Sequence, residues 1–203
     1  MLSSSLGVHV PSGQRRGRWS GVPLRERTAL RRDELIAAGV KLLGAADGPA
    51  LTVRAVCREA GLTERYFYEC FNDRDGFVRA VYDDVCATAM SALTAADTPR
   101  KAVEQFVSLM VDDPTRGRVL LLAPESEPVL TRSGAEWMPN FIDLLQRKLT
   151  RIADPVRQAM VATSLIGALT ALFTAYLNDR LPATREQFID FCVDMLLGRV
   201  GSF

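Results

Sequence analysis

The chain has 203 residues, 48% hydrophobic and 24% charged, with 25 Lys+Arg against 24 Asp+Glu and a formal net charge of +1. Its one histidine, His9, and four scattered cysteines without metal-ligand spacing argue against histidine acid–base catalysis and against a metal centre. The charge is uneven: residues 1–80 hold 13 Lys+Arg and 9 Asp+Glu, whereas residues 81–203 hold 12 and 15. Any polyanionic partner is therefore expected at the N-terminal half.

Residues 1–24 are rich in Ser, Gly, Pro and Arg, with Arg15, Arg16 and Arg18 clustered. They contain no apolar run of signal-peptide length. They read as a flexible basic arm, either a disordered tail or a segment that reaches a nucleic-acid groove. A helix is predicted from about Arg27 to Ala46. Its stripe is Leu35, Ala38, Gly39, Leu42, Leu43 and Ala46, widened by Leu30 and Ile36. Gly48 and Pro49 end it.

The segment from Thr52 to Phe71 carries the most information. Thr52 is a good N-cap, and Val53, Val56, Cys57 and Ala60 then recur at helical spacing. Gly61 follows, where the chain must turn sharply with positive φ. Thr63 caps a second short helix, which turns Phe67 and Cys70 inward and Glu64, Arg65, Tyr66 and Glu69 outward. Cys57 supplies the small side chain that two steeply crossing helices need at closest approach. This is a helix-turn-helix pattern, whose second helix enters a DNA major groove. Asn72–Gly76 forms a turn, and a fourth helix is predicted over about 75–93 with Phe77, Val81, Val85 and Cys86 inside.

Gly48, Thr52, Val53, Val56, Ala60, Gly61, Thr63, Tyr68 and Phe71 stand in register with a known pattern. Over about residues 27–85 the chain resembles the N-terminal domain of the tetracycline-repressor (TetR) family of bacterial transcription regulators. It departs from that pattern at Cys57, where alanine is usual, at Arg65-Tyr66, where small residues are usual, and at Arg74, where lysine is common. Resemblance and helix geometry divide the DNA contacts in the same way. Thr52, Thr63, Tyr68 and Arg74 are candidates for phosphates, and Glu64, Arg65 and Tyr66 for base edges.

Beyond Thr94–Thr98 the periodicity predicts further helices and no strand. One opens at Pro99 with Phe106, Leu109 and Met110 inside, and an apolar run covers Gly117–Leu122 before Pro124. A helix from about Pro128 to Ile152 follows, bent or broken near Gly134 and Pro139. Two more span about Pro155–Asn178 and Thr184–Gly198. The expected class is all-α. Residues 25–75 would form a helix-turn-helix DNA-binding domain, and 76–203 a ligand-binding and dimerisation domain whose connecting helix is 76–93.

Ala159–Leu177 is uncharged for 19 positions, but its Thr, Ser, Gly and Ala content suits a helix buried on most sides better than a membrane span; it reads as a helix packed inside its own domain and also against a partner subunit. The resemblance implies a homodimer through the last two helices, hence a palindromic operator in double-stranded DNA. It also implies an inducer pocket. Candidate lining residues are Phe106, Met110, Trp137, Phe141 and Phe173, with ordinary core packing as the alternative for each. No Gly-rich phosphate loop or nucleophile elbow occurs, so no catalytic residue, metal or cofactor is expected. Glu125, Glu127 and Glu136 read as surface charges, and the cysteines as reduced thiols of a cytoplasmic protein. The expected function is a dimeric repressor released by a small molecule. The alternative is a helix-turn-helix protein that binds DNA constitutively or through a protein partner.

Overall fold

The computed structural model describes residues 24–46 and 51–198. The arm expected over 1–24 lies, but for Leu24, outside the described residues, as does Gly48. Ten helices and no strand occur among the described residues. They are α1 (Leu24–Leu43), α2 (Val53–Ala60), α3 (Glu64–Cys70), α4 (Arg74–Ala95), α5 (Pro99–Met110), α6 (Pro114–Leu121), α7 (Ala123–Ser126), α8 (Leu130–Lys148), α9 (Pro155–Leu177) and α10 (Arg185–Leu196).

Local chemistry sets most of the boundaries. Thr52, Asp73, Thr98, Asp154 and Thr184 each accept a first-turn amide and so satisfy a donor that the helix leaves unpaired. Thr184 and Gln187 complete a reciprocal capping box. Pro99, Pro114 and Pro155 stand in first turns, where a missing N–H costs nothing.

Two apolar clusters follow. The larger runs from Leu35 and Val56 through Phe67, Phe71 and Phe77 to Val85, Met110, Val119 and Leu130. It continues without a break past residue 75, so the first three helices and the second half share one core along α4. The rings of Phe67 and Phe71 lie 5.1 and 4.9 Å from that of Phe77. Gly39 lets α1 approach α4: a Cβ there would lie 2.5 Å from Val81 Cγ2 and 2.7 Å from Phe77 Cζ. The smaller cluster joins α5, α9 and α10 through Val107, Phe173, Phe188 and Cys192.

Three expectations are corrected. Leu30 does not widen the buried stripe of α1, since it is exposed. The apolar run before Pro124 resolves into α6 and the single turn α7. Finally, α8 is one helix with Pro139 inside it, so of the break or bend expected there no break occurs. Pro139 and Ala135 are both exposed, so the carbonyl that loses its amide partner remains open to water.

Helix α9 is long and apolar enough to cross a membrane. It is not buried on most sides: only 17% of its most apolar window is covered within the chain. Ala162, Phe173 and Leu177 face inward, while Val156, Met160, Gly167 and Ala171 form an exposed stripe at helical spacing.

Candidate functional site

The turn between α2 and α3 is built by Gly61, which sits in the left-handed region at φ 66° and ψ 28°. Its amide and that of Leu62 donate back to Arg58 and Cys57, closing α2 at 3.3 and 2.9 Å. Cys57 is buried at the crossing, and Phe67 anchors α3 to the core with no exposed surface. The outer face of this pair is thereby fixed. Thr52, Thr63, Glu64, Arg65 and Tyr68 are exposed there, and Tyr66 is half-buried. The Thr52 hydroxyl accepts from Ala55 N at 3.2 Å, whereas the Thr63 side chain makes no cap bond.

Charged side chains on this face are held in pairs. Arg65 Nε donates to Glu69 at 3.0 Å one turn along α3. Arg54 Nε donates to Glu64 at 3.3 Å across the turn. Beneath them, the nearly buried Arg31 of α1 lies 3.6 Å from Glu69 and stacks its guanidinium 3.8 Å above the Tyr66 ring. Arg31 thus positions Tyr66 and Glu69 from behind. Nothing in the local pattern marks it, because α1 carries no motif and the contact spans more than thirty positions. Arg54 and Arg58 also stand exposed beside the candidate residues, unsingled by the motif.

Arg74 is placed differently from the other phosphate candidates. Its Nε donates to the Leu51 carbonyl at 2.9 Å, and its terminal nitrogens pair with Glu127 at 2.7 Å and Asp75 at 3.3 Å. The Glu127 bond holds the Arg74 guanidinium even more firmly protonated than usual. Glu127 is therefore no free surface charge: it ties the segment after α7 to the loop before α2.

Behind this pair lies a cavity of about 400 Å³, within the range of small-molecule sites. One face of α8, from Thr131 through Trp137 and Phe141 to Lys148, forms its floor. Tyr82 and Leu93 of α4, Phe106 of α5, and Ile166 and Phe173 of α9 close it. Four of the five sequence candidates, Phe106, Trp137, Phe141 and Phe173, are thus brought together. Met110 is not: it is fully buried in the larger core and absent from the lining. Trp137 is oriented by its indole N–H, which donates to Asp83 at 2.8 Å. The sequence reading missed Tyr82, because it lies on the core face of α4; Glu125 is exposed, as expected of a surface charge, and also borders the cavity.

No protein-family model matches this sequence, and no curated protein does. Solved structures do. A TetR-like transcriptional regulator from Rhodococcus sp. RHA1 superposes with a TM-score of 0.65 at 16% identity, over 86% of this chain and 98% of that one. The fold is the TetR-like fold. A fatty acid degradation regulator, FadR, from Bacillus halodurans matches at TM-score 0.65 and 15% identity, over 84% and 96%. The multidrug binding protein EbrR, complexed with imidazole, matches at 0.57 and 21%, over 85% and 96%.

Within this TetR-like fold burial disfavours the thiolate form of the cysteines. Burial pushes the Cys86 thiol up to about 12 and Cys192 to about 11, and it raises Cys57 and Cys70 as well. All four are free thiols. Among the described residues no group of three or more His, Cys, Asp or Glu side chains is arranged to hold a metal.

Proposed function

We propose that this chain is a cytoplasmic transcription regulator that binds a palindromic operator as a homodimer and is released from it by a small molecule. The observation that carries the reading is the outer face of α2 and α3. A short helix, locked by Gly61 and Phe67, presents Glu64 and Arg65 outward, with the half-buried Tyr66 next to them and Thr52, Thr63 and Tyr68 exposed beside it. Arg65 suits a guanine edge, for about 1–3 kcal/mol of discrimination. The hydroxyls suit phosphates, which set register without reading sequence.

The exposed stripe of α9, with Phe191 exposed on α10, supports a two-fold interface made by the last two helices. Two heads on one duplex compensate for the small positive excess of a single head. The cavity supports ligand control. It touches Tyr82 and Leu93 on α4, the helix whose first residue, Arg74, holds the Leu51 carbonyl ahead of α2. A ligand that fits one tilt of α4 better than another would change the spacing of the heads.

The test is selection of genomic DNA fragments by the purified protein, repeated with Arg65→Ala and Tyr66→Ala. A palindrome that both substitutions blur is expected. Recovery of unspecific, salt-sensitive DNA alone would remove operator reading from the proposal.

A further inference from the structure

We infer that the cavity takes an amphipathic organic cation, its ammonium head at the Glu125 end and its apolar body along α8. The inference rests on reading the cavity as the regulator's ligand site.

The wall is almost wholly apolar, and five of its residues are aromatic: Tyr82, Phe106, Trp137, Phe141 and Phe173. Ring faces attract a cation and give nothing comparable to an anion. Polar side chains gather at one end. The position of Gly134 fixes that end: a Cβ there would lie 3.5 Å from the Tyr82 hydroxyl and 3.6 Å from Pro124 Cβ. Glu125 follows Pro124 directly, and Thr131 stands one turn before Gly134 on the α8 floor. Glu125 is exposed, and its carboxylate makes no hydrogen bond or ion pair with any described residue. The nearby guanidinium of Arg74 is already taken by Glu127. The lining thus includes a solvent-exposed carboxylate with no counter-ion among the described residues, together with a hydroxyl and aromatic rings.

The one cation in the lining, Lys148, stands at the far end of α8. It lies 17 positions beyond Thr131, roughly 25 Å along a helix. Its ammonium donates to the Ala96 carbonyl at 3.1 Å, which caps the end of α4. Lys148 therefore has a partner already, and Glu125 does not. Between the two ends the floor is Trp137, Met138, Phe141, Leu144 and Leu145, which suits an alkyl or aromatic body.

The test titrates the full chain with three ligands of equal chain length, all below their micellar concentrations. They are decyltrimethylammonium, decanol and decanoate, read by calorimetry and by Trp137 fluorescence. Decyltrimethylammonium is expected to bind about tenfold more tightly than decanol, with decanoate the weakest. Glu125→Gln should bring the cation and the alcohol to within twofold, with an unaltered melting temperature showing that the variant is folded. Decanoate binding as tightly as the cation, an unchanged order in Glu125→Gln, or no binding by any of the three would overturn the inference. Tight cation binding that leaves operator affinity unmoved would uphold the ligand class and overturn the release mechanism instead.

Discussion

Replacing Glu127 by Gln decides what Arg74 is for. Family resemblance points Arg74 at a phosphate, whereas the structure closes it onto Glu127 at 2.7 Å and the Leu51 carbonyl at 2.9 Å. At that separation the Coulomb attraction is roughly 1.5 kcal/mol in bulk water and about 6 kcal/mol at an effective dielectric of ~20. The two side chains retain 35% and 20% of their exposure, so screening and desolvation remove most of the larger figure. A coupling of about 1–2 kcal/mol remains, in line with a charge-assisted hydrogen bond. A urea double-mutant cycle with Arg74→Gln and Glu127→Gln should return that coupling. Operator binding against salt then separates the two roles. If Arg74 bridges the two halves, neither substitution changes the slope of log K on log salt. If Arg74 contacts phosphate, Arg74→Gln lowers that slope by about 1, and Glu127→Gln, by freeing the guanidinium, tightens binding. A coupling below about 0.3 kcal/mol together with that loss of slope would refute the bridging role.

Further tests bear on other parts of the molecule. Gly39→Ala would gain about 1 kcal/mol in an isolated helix. Here its Cβ meets Val81 and Phe77, both fully buried, and overpacking costs about 1–3 kcal/mol, so a lower urea midpoint is expected. An equal or higher midpoint would mean that α1 and α4 can move apart. Met160→Glu, on the exposed stripe of α9, should convert a dimer to a folded monomer by sedimentation with helical circular dichroism retained. A dimer of unaltered affinity would place the interface elsewhere. Stability should also fall in alkali. Cys86 keeps its proton in the folded state up to about 12, and burial raises Tyr82 too, whereas an unfolded thiol titrates near its ordinary 9.0. The contribution is complete below pH 9 and is lost as pH rises from 9 towards 12. The urea midpoint should drop less steeply across pH 9–11 in Cys86→Ala than in the parent chain; parallel curves would sink the assignment.

The parts legible in the sequence are those that local chemistry decides. Thr52, Asp73, Thr98 and Thr184 cap helices because a short polar side chain can reach a nearby amide. Gly61 marks its turn because other residues pay for positive φ. The inward set of α2 and α3 is equally plain, since Val53, Val56, Cys57 and Ala60 recur at helical spacing on the first and Phe67 and Cys70 on the second. What stayed hidden depends on pairs far apart in the chain. Arg31 against Tyr66 and Glu69, and Arg74 against Glu127, leave no periodic trace, so Arg74 read as a free cation and Glu127 as a surface charge. Met110 and Phe106 share α5 and look alike in a pattern, yet one packs into the core and the other lines the cavity. The sequence reading has α9 packed inside its own domain and also against a partner subunit, and the chain itself covers little of it. Apolar periodicity records that a face is to be covered, not whether the cover is the same chain.

The continuous core also limits how a ligand signal could travel. Val81, Tyr82 and Val85 belong to the cluster that holds Phe67 and Phe77, so α4 does not slide independently of α2 and α3. Close-packed interiors deform little, and a shift of α4 at Tyr82 or Leu93 would carry the head as a rigid unit. The Arg74–Glu127 pair adds a second connection, because α6 and α7 border the cavity and Glu127 directly follows α7. A ligand that separates Glu125 from Tyr82 would therefore strain this pair while tilting α4, and both changes act on the loop before α2. Affinity alone is insufficient for such a device. A ligand that fills the cavity equally well in both tilts leaves the head spacing unchanged, however tightly it binds. Discrimination has to come from a contact present in one tilt only, and the Glu125 end, where α4, α7 and α8 meet, is where such a contact would be made or broken.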